Sequence, residues 1–295
     1  MASISTWADA ARPKTLAAGI GPVVLGTALA WRADAAHLLA ACACLLGALG
    51  LQIGANYSND YYDGIKGTDT PDRLGPTRAV AAGLLTPAAM RRGSYVAFAV
   101  AGLAALLLLP RGGWPVAVIW LTGVACAIAY TGGPFPLGYN GLGDITAFAF
   151  FGPVAVAGTY FVQAQALTPA VIVIGCGPGL FAIALITVNN LRDIDTDRRA
   201  GKRTLAVLLG RTFARVEYTV SLVLAAAIPI ALAATGRLPW SACIAAAVLP
   251  IAIPGIRSVW TSSDGPALNR TLAFTGKLTL LYCILLAVGS IIARR

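Results

Sequence analysis

Nine apolar runs, each about as long as a lipid-crossing helix and joined by mostly short polar connections, decide what this 295-residue chain can fold into. They cover approximately 15–31, 38–59, 87–109, 114–131, 142–162, 169–190, 212–235, 238–256 and 271–293. Roughly 20 apolar residues are needed to cross the hydrocarbon core as a helix. Strands of a membrane barrel would alternate apolar and polar residues, whereas Ala97–Leu109 and Ala225–Ala234 are almost unbroken apolar stretches. Helices are therefore the expected way of satisfying the backbone in lipid. With 58% hydrophobic and only 12% charged residues, no stretch is left for a separate soluble domain. The expectation is an all-α, polytopic membrane bundle of nine transmembrane helices, one domain over 1–295. The first run follows Arg12 and Lys14 without a convincing cleavage site, which reads as a retained helix and not a removed signal.

A net charge of +10 would point to nucleic acid in a soluble protein. Here the basic residues are unevenly divided between the two sides of the membrane. With a cytoplasmic amino terminus, seventeen of the 22 Lys and Arg fall on inner segments, and only Arg32, Arg111, Arg237, Arg294 and Arg295 fall outside. That asymmetry is an orientation signal, and it predicts a multi-pass protein of the cell membrane, in contact with the lipid bilayer and not with nucleic acid. The six cysteines lie in apolar runs without a CxxC pair, so they read as small buried hydrophobes.

Two inner connections are longer than the rest, roughly 60–86 and 191–211, and they carry seven of the twelve acids: Asp60, Asp63, Asp69, Asp72, Asp193, Asp195 and Asp197. Asn56, Asp60 and Asp63 follow the i, i+4, i+7 spacing of one helical face, and so do the i, i+4, i+8 residues Asn189, Asp193 and Asp197. Asn59 and Asn190 adjoin them. The second and sixth runs have the same parity, so both acidic tips emerge on the same side. Like charges collected there repel by about 4 kcal/mol per pair at 4 Å and an effective dielectric of 20, so a neutralising partner is required. Oxygen donors without His or Cys suit a hard divalent cation, and Mg²⁺ shares its shell with water and substrate phosphate. Two such clusters imply two Mg²⁺ ions with a polyphosphate between them. The interleaved Lys66, Arg73, Arg78, Lys202 and Arg203 supply contacts to phosphate oxygens. A diphosphate facing a membrane bundle belongs to a lipid. Loss of diphosphate leaves an allylic cation that aromatic faces stabilise, with Tyr57, Tyr61, Tyr130, Tyr139, Phe148 and Phe151 as candidates. A divalent-cation or organic-ion transporter is the competing class, but it would place acids near the bilayer midplane, where these runs have almost none.

These segments resemble the UbiA superfamily of intramembrane aromatic prenyltransferases. The resemblance is carried by Arg12-Pro13-Lys14-Thr15, by Asn59-Asp60-Tyr61-Tyr62-Asp63 with Lys66-Gly67-Thr68-Asp69, and by Gly75-Pro76-Thr77-Arg78. It continues through Tyr130-Thr131-Gly132-Gly133-Pro134, and through Asn189-Asn190-Leu191-Arg192-Asp193 running on to Gly201-Lys202-Arg203-Thr204. The resemblance implies a central cavity open to lipid, Mg²⁺ held by Asp60, Asp63, Asp193 and Asp197, and a polyprenyl diphosphate donor. Lys66, Arg78, Lys202 and Arg203 would then lie on the diphosphate, with Asn56, Asn59, Asn189, Asn190 and Tyr130 around the substrates. Within the superfamily the wording is most similar to the branch that prenylates 1,4-dihydroxy-2-naphthoate with loss of CO₂, 4-hydroxybenzoate being the acceptor of a sibling branch. Arg12 and Lys14 are the expected partners of the acceptor's carboxylate. The superfamily often has a further Asp four residues after Asp63, where this chain has Gly67, so Asp69 is expected to take its part as a metal ligand.

Overall fold

The computed structural model describes residues 3–68 and 74–292, which among them form helices and turns without a β-strand. In chain order the α-helices are α1 (Ile4–Ala10), α2 (Pro13–Arg32), α3 (Leu38–Lys66), α4 (Pro87–Gly112), α5 (Trp114–Ala129) and α6 (Gly143–Ala149). They continue as α7 (Ala155–Ala164), α8 (Pro169–Arg192), α9 (Ile194–Arg199), α10 (Leu205–Ala234), α11 (Val248–Thr261) and α12 (Gly265–Ile292). Among the described residues, eight helical spans are long and apolar enough to cross a membrane, and α5, at 16 residues, is a shorter ninth. The expected membrane bundle is present. Its large exposed apolar side chains, such as Leu103, Leu106, Leu107 and Leu121, form the surface that lipid would cover.

Helix starts follow local chemistry. The Oγ1 atoms of Thr86, Thr168 and Thr204 accept from the third amide of α4, α8 and α10, and proline opens α2, α4 and α8 with the ring geometry a first turn prefers. The interior rests on α2, α8, α10 and α12, with Phe181, Tyr218, Leu222, Leu278 and Tyr282 fully buried. Polar atoms inside this core are satisfied at short range. The Tyr282 hydroxyl donates to the Ala225 carbonyl at 2.9 Å, Tyr218 and Thr275 pair at 2.9 Å, and Thr275 and Thr279 donate to carbonyls one turn back in their own helix.

The fold departs from the hydropathy pattern in ways that bear on function. The run over 142–162 is broken into α6, a wide turn at Phe150–Val154 and α7, because Gly152 leaves helical geometry and Pro153 lacks an amide hydrogen. The run over 238–256 begins as a 3₁₀ segment, Trp240–Ala247. Helix α3 continues seven residues beyond its apolar run, to Gly67 in the left-handed conformation, so the first acidic motif is helical and not in a loop. Helix α1, too short and polar to register in a hydropathy window, packs its Trp7 edge-on against Tyr57 of α3.

The break in α6–α7 is held against α8 by contact between glycines. A Cβ added at Gly152 would lie 2.6 Å from the Gly179 Cα and 2.7 Å from the Gly175 carbonyl oxygen. Overpacking such a contact costs about 1–3 kcal/mol. Gly152→Val is therefore expected to lower the detergent-solubilised melting temperature by several degrees, whereas Gly158→Ala, where the nearest neighbour is 3.5 Å away, leaves it unchanged; circular dichroism melts compare the two.

Candidate active site

At one end of the bundle, α3 and the α8–α9 pair bring their acids onto a shared cation. Asp63 of α3 and Asp197 of α9 each lie 3.7 Å from the Lys202 ammonium. Asp63 also accepts from the Tyr139 hydroxyl and lies 4.0 Å from the Arg78 guanidinium. The Tyr139 ring faces two ammoniums, with Lys202 at 4.8 Å and Lys66 at 5.1 Å from its centroid. Residues 134 apart in sequence thus meet around one charge.

The second motif is bent where the sequence suggested a continuous face. Helix α8 stops at Arg192, Asp193 forms the corner, and α9 carries Asp197. Arg192 decides that corner. Its guanidinium donates to both Asp193 oxygens, to the Asn189 Oδ1 at 2.8 Å and to the Asn269 Oδ1 at 2.7 Å. Asn269 in turn donates to the Leu74 carbonyl, which ties α12 and the loop before α4 to the same hub. The side chain of Arg192 is 1% exposed, so four acceptors surround a cation withheld from water.

Asp60 is engaged by the loop before α4. Its two oxygens accept from the Ala79 and Val80 amides, both at 3.0 Å, and it takes no part in the cavity wall. It thereby holds the backbone next to Arg78, whose side chain lies 4.0 Å from Asp63. Asn59 accepts from the Thr131 hydroxyl at 3.1 Å, and Lys66 donates to the Thr131 carbonyl. Arg203 is exposed and off the cavity wall. Asp69, Asp72 and Arg73 lie outside the described residues, as does the Lys14 side chain. Asp195 is solvent-facing and pairs with Arg211 at 2.6 Å.

Beneath this charged end runs a cavity of about 410 Å³. Its polar rim comprises Arg12, Asn56, Asn59, Asp63, Arg78, Tyr130, Asn189, Asn190, Asp193, Asp197 and Lys202. Its apolar length includes Leu51, Trp120, Phe150, Phe151 and Val154, and it reaches Cys44, Leu108 and Val162. Cys44 and Asp63 are 19 positions apart on α3, about 28 Å at 1.5 Å per residue. An elongated apolar slot with a charged mouth accommodates a molecule that is anionic at one end and hydrocarbon along the rest.

The donor set fits a hard divalent ion shared with a ligand. Among the described residues no three His, Cys, Asp or Glu side chains form a closed cage. Mg²⁺ does not need one, since it usually takes one or two carboxylates and completes its shell with water and phosphate. Lys202 already occupies a cation's place between Asp63 and Asp197. His37, the sole histidine, accepts from the Ala40 amide at the opposite end of α3.

Residues 20–290 match the model of the UbiA prenyltransferase family. The chain is 39% identical over 289 residues to a 1,4-dihydroxy-2-naphthoate octaprenyltransferase of Mycobacterium tuberculosis, covering 97% of each sequence. It is 36% identical to the Escherichia coli protein of the same name, over 96% of this chain and 94% of that one. In three dimensions it is similar to a UbiA homolog from Archaeoglobus fulgidus solved with DMAPP and Mg²⁺, with a TM-score of 0.70, 13% identity, and coverage of 96% of this chain and 99% of the other. The chain belongs to the UbiA prenyltransferase family.

Sequence reasoning passed over Arg192, Gln52 and Asn269, although Arg192 directly precedes an acid that it neutralises; Tyr139, read from the sequence as an aromatic candidate, is found in addition to bond Asp63. Removing one member of a buried ion pair costs about 3–5 kcal/mol. Arg192→Met is therefore expected to lower thermal stability by that order. Arg192→Lys recovers little, because an ammonium cannot span a carboxylate bidentately while meeting two amides. Differential scanning fluorimetry in detergent measures both.

Proposed function

From membership of the UbiA prenyltransferase family, we propose that this protein transfers a polyprenyl group from polyprenyl diphosphate to 1,4-dihydroxy-2-naphthoate. Diphosphate and CO₂ are released and demethylmenaquinone is formed, at the quinol level. The observation that carries the reading is the meeting of Asp63 and Asp197 on Lys202 at the mouth of a long apolar cavity. The names borne by relatives that match nearly the whole chain support the choice of acceptor.

In this reading Asp63, Asp193 and Asp197 would hold two Mg²⁺ ions, which when bound supply Lewis-acid neutralisation of the diphosphate. The chain's own residues do the remainder. Arg78 and Lys202 reach the diphosphate as the prenyl carbon–oxygen bond breaks and the electron pair departs with it, stabilising charge as it grows. Lys66, bonded to the Thr131 carbonyl, reinforces them from outside the cavity wall. Tyr139, whose face already attracts two ammoniums, and Phe150 and Phe151 on the cavity wall present π-systems to the allylic cation. The apolar wall keeps out water that would capture that cation. Arg12 receives the acceptor's carboxylate, with Lys14 as a second partner, while Asn59, Asn189, Asn190 and Tyr130 orient the hydroxylated ring. The ring carbon bearing the carboxylate forms the new carbon–carbon bond, and departure of CO₂ returns its electron pair to the ring. The charge asymmetry supports reading this chemistry as lying at the cytoplasmic face of the cell membrane.

The test is purified protein with Mg²⁺, a polyprenyl diphosphate and the naphthoate, with products read by mass spectrometry. Asp63→Asn and Asp197→Asn are each expected to lower turnover by at least ~10²-fold in protein that still folds, as checked by circular dichroism, and chelation of Mg²⁺ to abolish it. Near wild-type turnover in either variant excludes the scheme. Product from 4-hydroxybenzoate alone would move the protein to the sibling acceptor, and ion uptake into vesicles without any prenylated product would make it a transporter.

A further inference from the structure

Two buried amides of α3 grip the backbone on either side of Arg12. Gln52 and Asn56 are one helical turn apart and share a face. The Gln52 Nε2 donates to the Thr15 carbonyl at 2.6 Å, and the Asn56 Nδ2 donates to the Ala11 carbonyl at 2.8 Å. The segment is fastened from both sides. The Tyr57 hydroxyl donates to the Trp7 carbonyl at 3.0 Å, and the Thr15 hydroxyl donates to the Arg12 carbonyl at 3.0 Å. Between these anchors Arg12 takes φ 56° and ψ 65°, the left-handed region that residues with a Cβ avoid. Strain of that kind persists where surrounding contacts over-determine it, and it collects at functional sites. The result is a sharp corner between α1 and α2 whose side chain forms part of the cavity wall that Asn56, Asn59 and Asn189 also line.

We propose that Gln52 and Asn56 are positioning residues for Arg12: their amides lock the left-handed corner that presents its guanidinium to the carboxylate of the aromatic acceptor. The inference rests on the acceptor reading above. It separates Asn56 from the diphosphate end of the same helix, because the amide donor that faces Ala11 is a group no carboxylate could replace. Gln52 and Asn56 therefore govern acceptor binding and leave the diphosphate half of the reaction alone.

The deciding substitution is Asn56→Asp, which retains oxygen donors for a metal and removes the hydrogen that bonds Ala11. The full-length protein carrying Asn56→Asp, Asn56→Ala, Gln52→Ala or Arg12→Ala is compared with wild type by KM for each substrate, by the Mg²⁺ dependence of turnover, and by calorimetric titration with 1-hydroxy-2-naphthoate in the absence of donor. Asn56→Asp and Asn56→Ala are expected to weaken naphthoate binding alike, by about tenfold, with Gln52→Ala in the same direction. The diphosphate KM and the Mg²⁺ dependence stay at wild-type values, and none of the three changes adds to Arg12→Ala when combined with it, as expected for residues acting through one group. Wild-type naphthoate affinity in Asn56→Asp, or a shift in Mg²⁺ dependence in its place, overturns the inference and makes Asn56 a metal-site residue. Additivity with Arg12→Ala also overturns it. Wild-type protein that turns over another aromatic carboxylate but does not bind the naphthoate overturns the acceptor reading instead, and the same titrations with that carboxylate then decide the role of Asn56.

Discussion

Carboxylates buried at the end of an apolar bundle have to be neutralised from within the protein, and much of this structure follows from that requirement. Asp60, Asp63 and Asp193 are each at most 4% exposed. At an effective dielectric of 20, two such charges 4 Å apart repel by about 4 kcal/mol, so they cannot be collected without counter-charges. Lys202 lies between Asp63 and Asp197, Arg78 approaches Asp63, and Arg192 encloses Asp193. The connections that carry Lys202 and Arg78 therefore fold back over the bundle's end. Burial of charge, more than any apolar contact there, shapes the mouth of the cavity.

The same requirement divides labour along α3. Successive residues on a helix are rotated by about 100°, so Asp60 and Asp63 diverge by about 60° on the helix surface. That angle is enough for Asp63 to face Lys202 while Asp60 accepts two amides of the loop at Ala79 and Val80. Gln52 and Asn56, on turns further into the bundle, hold the carbonyls around Arg12. One helix thus fixes the amino-terminal corner, the Arg78 loop and an acid of the site, and a displacement of α3 would disturb all three together.

Much of this was legible beforehand because period and polarity report on it directly. Apolar runs located the spans, and acids three and four positions apart located both tips, whose convergence through Lys202 the structure displays. What escaped were features that depend on partners distant in sequence. Asp60 looks like Asp63 in any pattern, since its loop amides leave no signature of their own. Arg192 reads as one more basic residue on an inner segment, and only packing against Asn269 reveals a buried hub. Tyr139 is one aromatic among several until two ammoniums are placed over its ring. Helix α1 has too few residues to generate a moment, and its position follows from the Trp7–Tyr57 contact. Pro153 could have signalled the break between α6 and α7, yet proline is common enough in membrane helices that the glycine contact behind it was needed to show why the chain turns there.

That break also bears on why a cavity persists in so apolar a protein. On the side of α2, α8, α10 and α12, aromatic and aliphatic side chains interlock around Tyr218 and Tyr282 and leave little space. On the side of α3, α4, α5 and α7, small residues such as Gly47, Ala48, Ala105 and Gly158 line the interior. Closing the space would require α7 to approach α3, but α6 and the wide turn are pinned to α8 through Gly152, Gly175 and Gly179. Helix α5, short and packed against α3 and α4, stands across the gap. The dense half therefore acts as a frame that keeps the sparse half apart, and the charged residues at its end meet over an open slot instead of a filled core.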